Sequence, residues 1–587
     1  MNKLIESFKA FYFRNPYWTV FLVSALLTLP WLPLGEFYSK GEPREAALAT
    51  YMLNTGNWIL PTGYADEIAY KPPFMHWFIA LFSLITGRVT EMTARMPSAL
   101  GLIGIAMGFF ALVFKRKSPS RAILATLILV TGFEMHRSGI EARVDMFLSF
   151  FMISGLIAMY KWEEKELKGF PVLIPFLLGG AALVKGPVGI LLPCLVFGIY
   201  LLLLQKYSLW KIIYKNVLVA LPALAILLVW YVLAYRQAGE HFLQLVYAEN
   251  FGRFLGQDKK ALGISYDLGH KGPFWYYIPA ILTGFLPWSL VFIFFLFIAP
   301  YRKIMNYFGS YKGQFFSKIA GLDRMLLFSI VSVVIILGFY AIPSSKRSVY
   351  IIPAYPFAAY LLTLLYEWVM ENRPSLIRIL NGVVLSVSGI LLALVTIFYF
   401  VNLEGILSRF VHKQKSFYDI ALFSNGFQHP TFIGYIVWVI LLAAFVYAWK
   451  IKRDRNIRIV LVSTLALYIS TLFFLEGFAY PVYKNGHSSR PFAEQISTKY
   501  DLKGKTYVMN DLNSYFNPYG LNFYLGNYFR NFDKEQPSGG YFITADEYIG
   551  QIREKYKGKY QFVELERTPN ANNDYQKVIV LYQIIKL

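Results

Sequence analysis

Residues Val217 to Ala234 read VLVALPALAILLVWYVLA, eighteen consecutive residues without a charge. At 1.5 Å per residue such a helix covers ~27 Å, close to the roughly 30 Å apolar core of a bilayer. Nothing in the run alternates with period two, and no water-facing stripe interrupts it, so it fits a membrane-crossing helix better than a surface helix.

Similar runs recur on both sides of it. The first is near Tyr17 to Leu34, followed by Pro97 to Phe114, Ala122 to Phe133, Met146 to Tyr160, Pro171 to Leu183 and Ile190 to Leu204. After the central run come Trp275 to Ile298, Met325 to Ala341, Val349 to Val369, Ile379 to Val401, Thr431 to Trp449 and Ile457 to Phe474. The expectation is a polytopic α-helical membrane protein with about thirteen crossings. Composition agrees: 56% of the residues are hydrophobic, 18% aromatic and only 16% charged. The apolar stretch Phe74 to Thr86 is too short to span with ease and is expected along the outer interface.

The net charge of +22 does not point to nucleic acid. Its basic residues gather in short gaps between apolar runs: Lys115, Arg116, Lys117 and Arg121; Arg302 and Lys303; Lys450, Lys452, Arg453, Arg455 and Arg458. Positive residues concentrate on the cytoplasmic side of membrane proteins. This pattern places the N-terminus inside and gives the loops 35–71, 134–145 and 236–273 an outer face. The first run follows Lys3, Lys9 and Arg14 but lacks a nearby small-x-small cleavage pattern, so it reads as an uncleaved helix. The single cysteine, Cys194, lies in an apolar run and excludes an intrachain disulfide.

From Tyr480 the composition turns polar. Lys505 to Asn510, Tyr541 to Thr544, Tyr560 to Glu566 and Val578 to Ile585 read as strands, Arg490 to Lys499 and Ala545 to Lys555 as helices. The expected organisation is a membrane domain, 1–479, and a small soluble α/β domain, 480–587, on the outer side.

Polar clusters mark the outer loops. Gly41-Glu42-Pro43-Arg44-Glu45-Ala46 and Tyr70-Lys71-Pro72-Pro73 belong to the first, and His136 through Asp145 to the second. Lys185-Gly186-Pro187 joins two apolar runs, and Glu249 to Phe254 and His270 to Tyr277 border the third loop. Ser345-Lys346-Arg347-Ser348-Val349-Tyr350 comes later. Each has an ordinary structural reading: a solvated loop, an acidic helix start at Asp145, snorkelling lysines. Carboxylates and several cations on one membrane face nevertheless suit transfer from a lipid phosphate, with cations holding the phosphate and a carboxylate acting as base. Glu249 and His270 are candidate ligands of a divalent ion, although two residues do not make a metal site.

At these residues the chain resembles the GT-C superfamily of polyprenyl-phosphate-dependent membrane glycosyltransferases. Within it, the chain is similar to bacterial aminoarabinose transferases (ArnT-like) and their protein mannosyltransferase relatives. The resemblance runs over residues 15 to 360. The family's Asp-Glu-x-Arg-Tyr-Ala pattern is met by Gly41 to Ala46, with Glu42 and Arg44 kept and the leading aspartate replaced by Gly41. Lys71-Pro72-Pro73, Asp145, Lys185-Gly186, Arg253-Phe254, His270, and Lys346 or Arg347 with Tyr350 and Pro353 meet the later motifs.

The resemblance implies Asp145 and Glu42 as catalytic carboxylates. It implies Lys71, Lys185, Arg253, Arg44, Lys346 and Tyr350 as binders of the donor phosphate. It further implies a sugar donor on undecaprenyl phosphate, with 4-amino-4-deoxy-L-arabinose or another monosaccharide as the sugar. The acceptor would be lipid A or another envelope glycan or protein, at the periplasmic face of the bacterial inner membrane. The competing readings are a lipopolysaccharide ligase or polysaccharide polymerase, and a multi-span transporter, against which the absence of internal repeats speaks.

Overall fold

The computed structural model describes residues 14–69, 71–252, 271–302, 315–401, 405–406, 414–509, 516–571, 573 and 576–587. Among the described residues, eight helices are long and apolar enough to cross a membrane, from Glu91–Phe114 to Ile457–Gly486. Shorter apolar helices accompany them at Pro16–Trp31, Phe74–Thr86, Pro119–Thr131, Leu173–Lys185 and Val188–Leu203. The chain is a multi-pass membrane protein. Leu221, Leu228, Val229 and Val232 of the run that opened the sequence analysis lie exposed on the helix Leu209–Tyr247, as a lipid-facing surface requires.

Five details differ from the expected pattern. The stretch Trp275 to Ile298 is not one straight span: it folds as Tyr277–Gly284 and Ser289–Ile298, bent by 112°. Pro287 lies in the break, where its missing N–H removes a helical donor. The loop 35–71 contains a fifteen-residue helix, Gly41–Thr55, closed by Gly56 at φ 73°. Such a left-handed cap favours glycine. The loop 134–145 contains the helix Phe133–Ile140, and the helix from Leu209 continues to Tyr247 into the third loop, broken at Gly239. The last long helix runs past Tyr480 to Gly486.

Beyond it lies a five-stranded mixed sheet: β1 Thr506–Val508, β2 Arg530–Asn531, β3 Gly539–Ala545, β4 Tyr560–Arg567 and β5 Ile579–Lys586, ordered β2-β1-β3-β5-β4. β1 runs parallel to β2 and β3, while β5 is antiparallel to β3 and β4. β2 was not expected; a two-residue edge strand carries too little alternation to be read.

The C-terminal sheet domain rests on the segment 35–71. Tyr64 and Ala65 are buried in its core with Phe529 and Leu521. Asn527 Nδ2 donates to the carbonyls of Ala47 (3.1 Å) and Thr62 (3.3 Å), and the Tyr524 hydroxyl donates to Glu91 at 2.8 Å.

The charge pattern predicts the sidedness. A reporter active only outside the cytoplasm, fused after Leu587, is expected to be active and one fused after Lys117 silent. The opposite pair of results would reverse the orientation and move the polar loops to the cytoplasm.

Candidate functional site

The helix Gly41–Thr55 sets two carboxylates three residues apart, and both are buried. Glu42 is held by Arg95, whose Nε and Nη2 donate to its two oxygens at 2.7 and 2.9 Å; the Ala142 N–H adds a third bond at 2.9 Å. Arg95 is itself 1% exposed and also donates through Nη1 to the carbonyls of Leu32 and Gly35. Burial pushes the Glu42 carboxyl up, but the charge and hydrogen bonds of Arg95 more than offset it and bring the carboxyl to about 2. Glu42 therefore ties the helix Gly41–Thr55 to the helix Glu91–Phe114 and to the segment preceding Asp145. Arg95 escaped the sequence reading because the apolar run was started at Pro97; a cation at the mouth of an apolar helix is the signal that could have found it.

Glu45 faces another set of partners. It accepts from Arg44 Nη2 at 2.9 Å and lies 2.7 Å from Nε2 of buried His76. Burial raises its carboxyl, yet Arg44, Lys71 and His76 hold it well below the usual carboxylate range. Lys71, half-buried, stands just before Pro72-Pro73 and the helix Phe74–Thr86. Burial and the adjacent Arg44 push its ammonium down to about 8, against the pull of Glu45. Lys185 and Glu249 also act on Lys71 electrostatically.

Asp145 occupies the first turn of Val144–Glu164 and is 9% exposed. Its Oδ1 pairs with Lys185 Nζ, the final residue of Leu173–Lys185. The same Nζ lies 4.1 Å from the centre of the Tyr350 ring, a cation–π contact. Gly186 follows at φ 89°, and a Cβ there would come 3.0 Å from Asn250 Oδ1, so glycine lets the segment bearing Glu249 approach. Arg347 and Lys71 also act on Asp145.

The two basic residues that the motif left open are now placed apart. Lys346 is 4% exposed and its Nζ donates to the Pro343 carbonyl, whereas Arg347 is exposed. Tyr350 sits in the 3-10 helix Ser348–Ala354, with its ring 5.6 Å from that of Tyr340. Arg253 and His270 lie outside the described residues. Glu249 belongs to the π-helical segment Ala248–Gly252. Among the described residues no three His, Cys, Asp or Glu side chains gather as a metal-binding group.

The structure thus pairs Asp145 with Lys185 beside the Tyr350 ring, with Lys71 and Arg347 near enough to act on that carboxylate and Arg44 and Glu45 acting in turn on Lys71, while Glu42 has its own pair with Arg95. Several cations around a carboxylate can hold a phosphate and stabilise charge developing on it.

Comparison with known proteins shows what the chain is similar to. The family model for dolichyl-phosphate-mannose-protein mannosyltransferase matches residues 70–232, which include Lys71, Asp145 and Lys185. An undecaprenyl phosphate-alpha-4-amino-4-deoxy-L-arabinose arabinosyl transferase of Shewanella sediminis is 26% identical over 63% of this chain and 63% of its own, just under two thirds of its length. A transferase of the same name from Enterobacter sp. (strain 638) is 22% identical over 72% of each chain. The crystal structure of ArnT from Cupriavidus metallidurans bound to undecaprenyl phosphate superimposes with a TM-score of 0.66 at 17% identity, covering 97% of this chain and 98% of that one. The chain has the ArnT fold, and its resemblance to the ArnT-like polyprenyl-phosphate-dependent glycosyltransferases of the GT-C superfamily is borne out in sequence and in architecture.

Proposed function

We propose that this chain is a membrane glycosyltransferase that moves a sugar from undecaprenyl phosphate to an acceptor at the outer face of the bacterial inner membrane. The observation that carries the reading is the pairing of Asp145 with Lys185, whose Nζ also lies over the Tyr350 ring, with Lys71 and Arg347 from separate segments near enough to act electrostatically on the same carboxylate. The arabinosyl transferases that the chain resembles have undecaprenyl phosphate in their names, and the ArnT structure of the same fold holds that lipid.

In this reaction the bond between the anomeric carbon and the phosphate oxygen breaks while the acceptor oxygen bonds to that carbon. The electron pair leaves with undecaprenyl phosphate, and Lys71, Lys185, Arg44 and Arg253 take up the growing charge, an electrostatic term aimed at the transition state. Asp145 removes the proton of a hydroxyl acceptor; a phosphate acceptor such as that of lipid A is already anionic and needs no base. The replacement of the family's leading aspartate by Gly41 sits more easily with the anionic acceptor. Glu42, saturated by Arg95 and Ala142, serves to position the loop rather than to exchange protons. A divalent ion would add charge neutralisation at the same phosphate.

The test is transfer by the purified protein from undecaprenyl-phosphate-linked aminoarabinose to lipid A, with products read by mass spectrometry. Lys71→Ala is expected to lower kcat at least tenfold, about 1.4 kcal/mol of transition-state stabilisation. Lys185→Ala should cost less, because its charge is already committed to Asp145. Turnover and donor affinity unchanged in Lys71→Ala would remove the phosphate role of that lysine. A donor active only as the diphosphate would favour the ligase or polymerase reading.

A further inference from the structure

Glu45 is a buried charge that the proposed transfer does not use. Its carboxylate is bracketed by Arg44 on its own helix and by His76 on the helix Phe74–Thr86, and it lies close enough to act on Lys71. His76 is as deeply buried. Its Nε2 meets Glu45 at 2.7 Å, while its Nδ1 has no hydrogen-bond partner among the described residues. A histidine with one nitrogen bound to a carboxylate and the other left alone has one clear polar task here, to orient that carboxylate. Lys71 is joined to His76 by Pro72-Pro73-Phe74-Met75, a stretch stiffened by two prolines. The imidazole, the carboxylate and the ammonium are thus held by one short rigid segment and one helix.

Resting on the reading of Lys71 as a ligand of the polyprenyl phosphate, we infer that Glu45, oriented by His76, is a positioning residue that keeps the Lys71 ammonium charged and in place at the donor site. The need for such a residue follows from what else surrounds Lys71. Arg44 from the same helix as Glu45 and Lys185 at the end of Leu173–Lys185 disfavour its charge; Glu249 in Ala248–Gly252 favours it, and Asp145 at the start of Val144–Glu164 lies within reach. Burial adds to the cost, since taking an ammonium from water penalises the charged form. A half-buried lysine between two cations without a neighbouring carboxylate would tend to shed its proton and offer the phosphate a neutral amine.

The linkage gives the sign. Burial and Arg44 push the ammonium of Lys71 down to about 8 in the unliganded protein, and a bound phosphate would stabilise its charged form. Affinity is therefore full below that value and falls by up to about tenfold per pH unit above it. Glu45 stabilises the ammonium, so Glu45→Gln moves the onset of the fall downward, by about one pH unit. Glutamine keeps an acceptor for His76 and removes only the charge.

The experiment is binding of undecaprenyl phosphate to the full detergent-solubilised chain between pH 7 and 10. Over this range the lipid phosphate is already dianionic, its second ionisation lying near 6 in comparable esters. Wild type should weaken above about pH 8, and Glu45→Gln should begin to weaken about one unit earlier. Lys71→Arg, whose charge does not titrate here, should bind without that fall, alone and combined with Glu45→Gln. An unchanged fall in Lys71→Arg would overturn the role of Lys71 itself. A fall abolished in Lys71→Arg but unmoved in Glu45→Gln would leave Lys71 in place and overturn the role of Glu45.

Discussion

With a hydroxyl acceptor, which needs a base, Asp145→Asn should leave an inserted, folded protein whose turnover is lower by at least about a hundredfold, the usual loss for a removed base being two to four orders of magnitude; with an anionic phosphate acceptor the loss should be smaller. The substitution is nearly isosteric, and the asparagine oxygen can still accept from Lys185, so the helix Val144–Glu164 and the end of Leu173–Lys185 keep their places. What disappears is the charge. Lys185, no longer neutralised by Asp145, becomes more available to the donor phosphate, and so does the neighbouring Arg347. Donor affinity should therefore hold or tighten while kcat falls, a split that loss of structure would not produce. Steady-state rates with a hydroxyl acceptor and donor binding, measured on the same preparation, decide the matter: near-normal kcat with that acceptor would show that Asp145 only anchors Lys185.

Arg95→Ala should be among the most destabilising single changes in the chain. It would leave buried Glu42 with the Ala142 N–H as its remaining hydrogen bond among the described residues and with only the more distant charge of Lys484 there, and it would release the carbonyls of Leu32 and Gly35. Breaking a buried ion pair from one side costs about 3–5 kcal/mol, because an uncompensated charge remains in a medium that solvates it poorly. Thermal unfolding in detergent should register a large loss for Arg95→Ala and a similar one for Glu42→Ala. Glu42→Leu combined with Arg95→Leu should lose less than either alanine variant, since neither charge is left behind. Glu42→Gln separates the two roles of that carboxylate: activity lost in step with stability marks a structural pair, whereas a stable but inactive variant would return Glu42 to the chemistry.

The membrane architecture was legible because a crossing helix announces itself by length and hydropathy alone, as Val217 to Ala234 does. Four strands of the C-terminal sheet, near Lys505, Tyr541, Tyr560 and Val578, were also found near their true positions, since each is a short run rich in β-branched and aromatic residues. The bend between Tyr277–Gly284 and Ser289–Ile298 was not legible: the stretch is apolar throughout, and hydropathy does not sense direction. At the site, Asp145, Lys185, Lys71 and Tyr350 could be picked out as polar residues beside apolar runs. Their pairing could not be, because Lys185 and Asp145 are forty residues apart and Lys185 looked free of any acidic neighbour. Glu45 and Arg95 were passed over for opposite reasons. Glu45 was taken as part of a loop although its helix buries it against His76, and Arg95 was cut off by an apolar run counted from its first uncharged turn.

The grip of Asn527 on the carbonyls of Ala47 and Thr62 bears on how the protein is made. Asn527 leaves the ribosome 465 residues after Thr62, by which time the long apolar helices between them have already been synthesised. The helix that carries Glu42, Arg44 and Glu45 cannot receive this support until the last part of the chain has been made and has folded. Synthesis thus imposes an order, membrane helices first and the braced outer helix last, so an unfinished chain would sit in the bilayer with its charged cluster still unassembled.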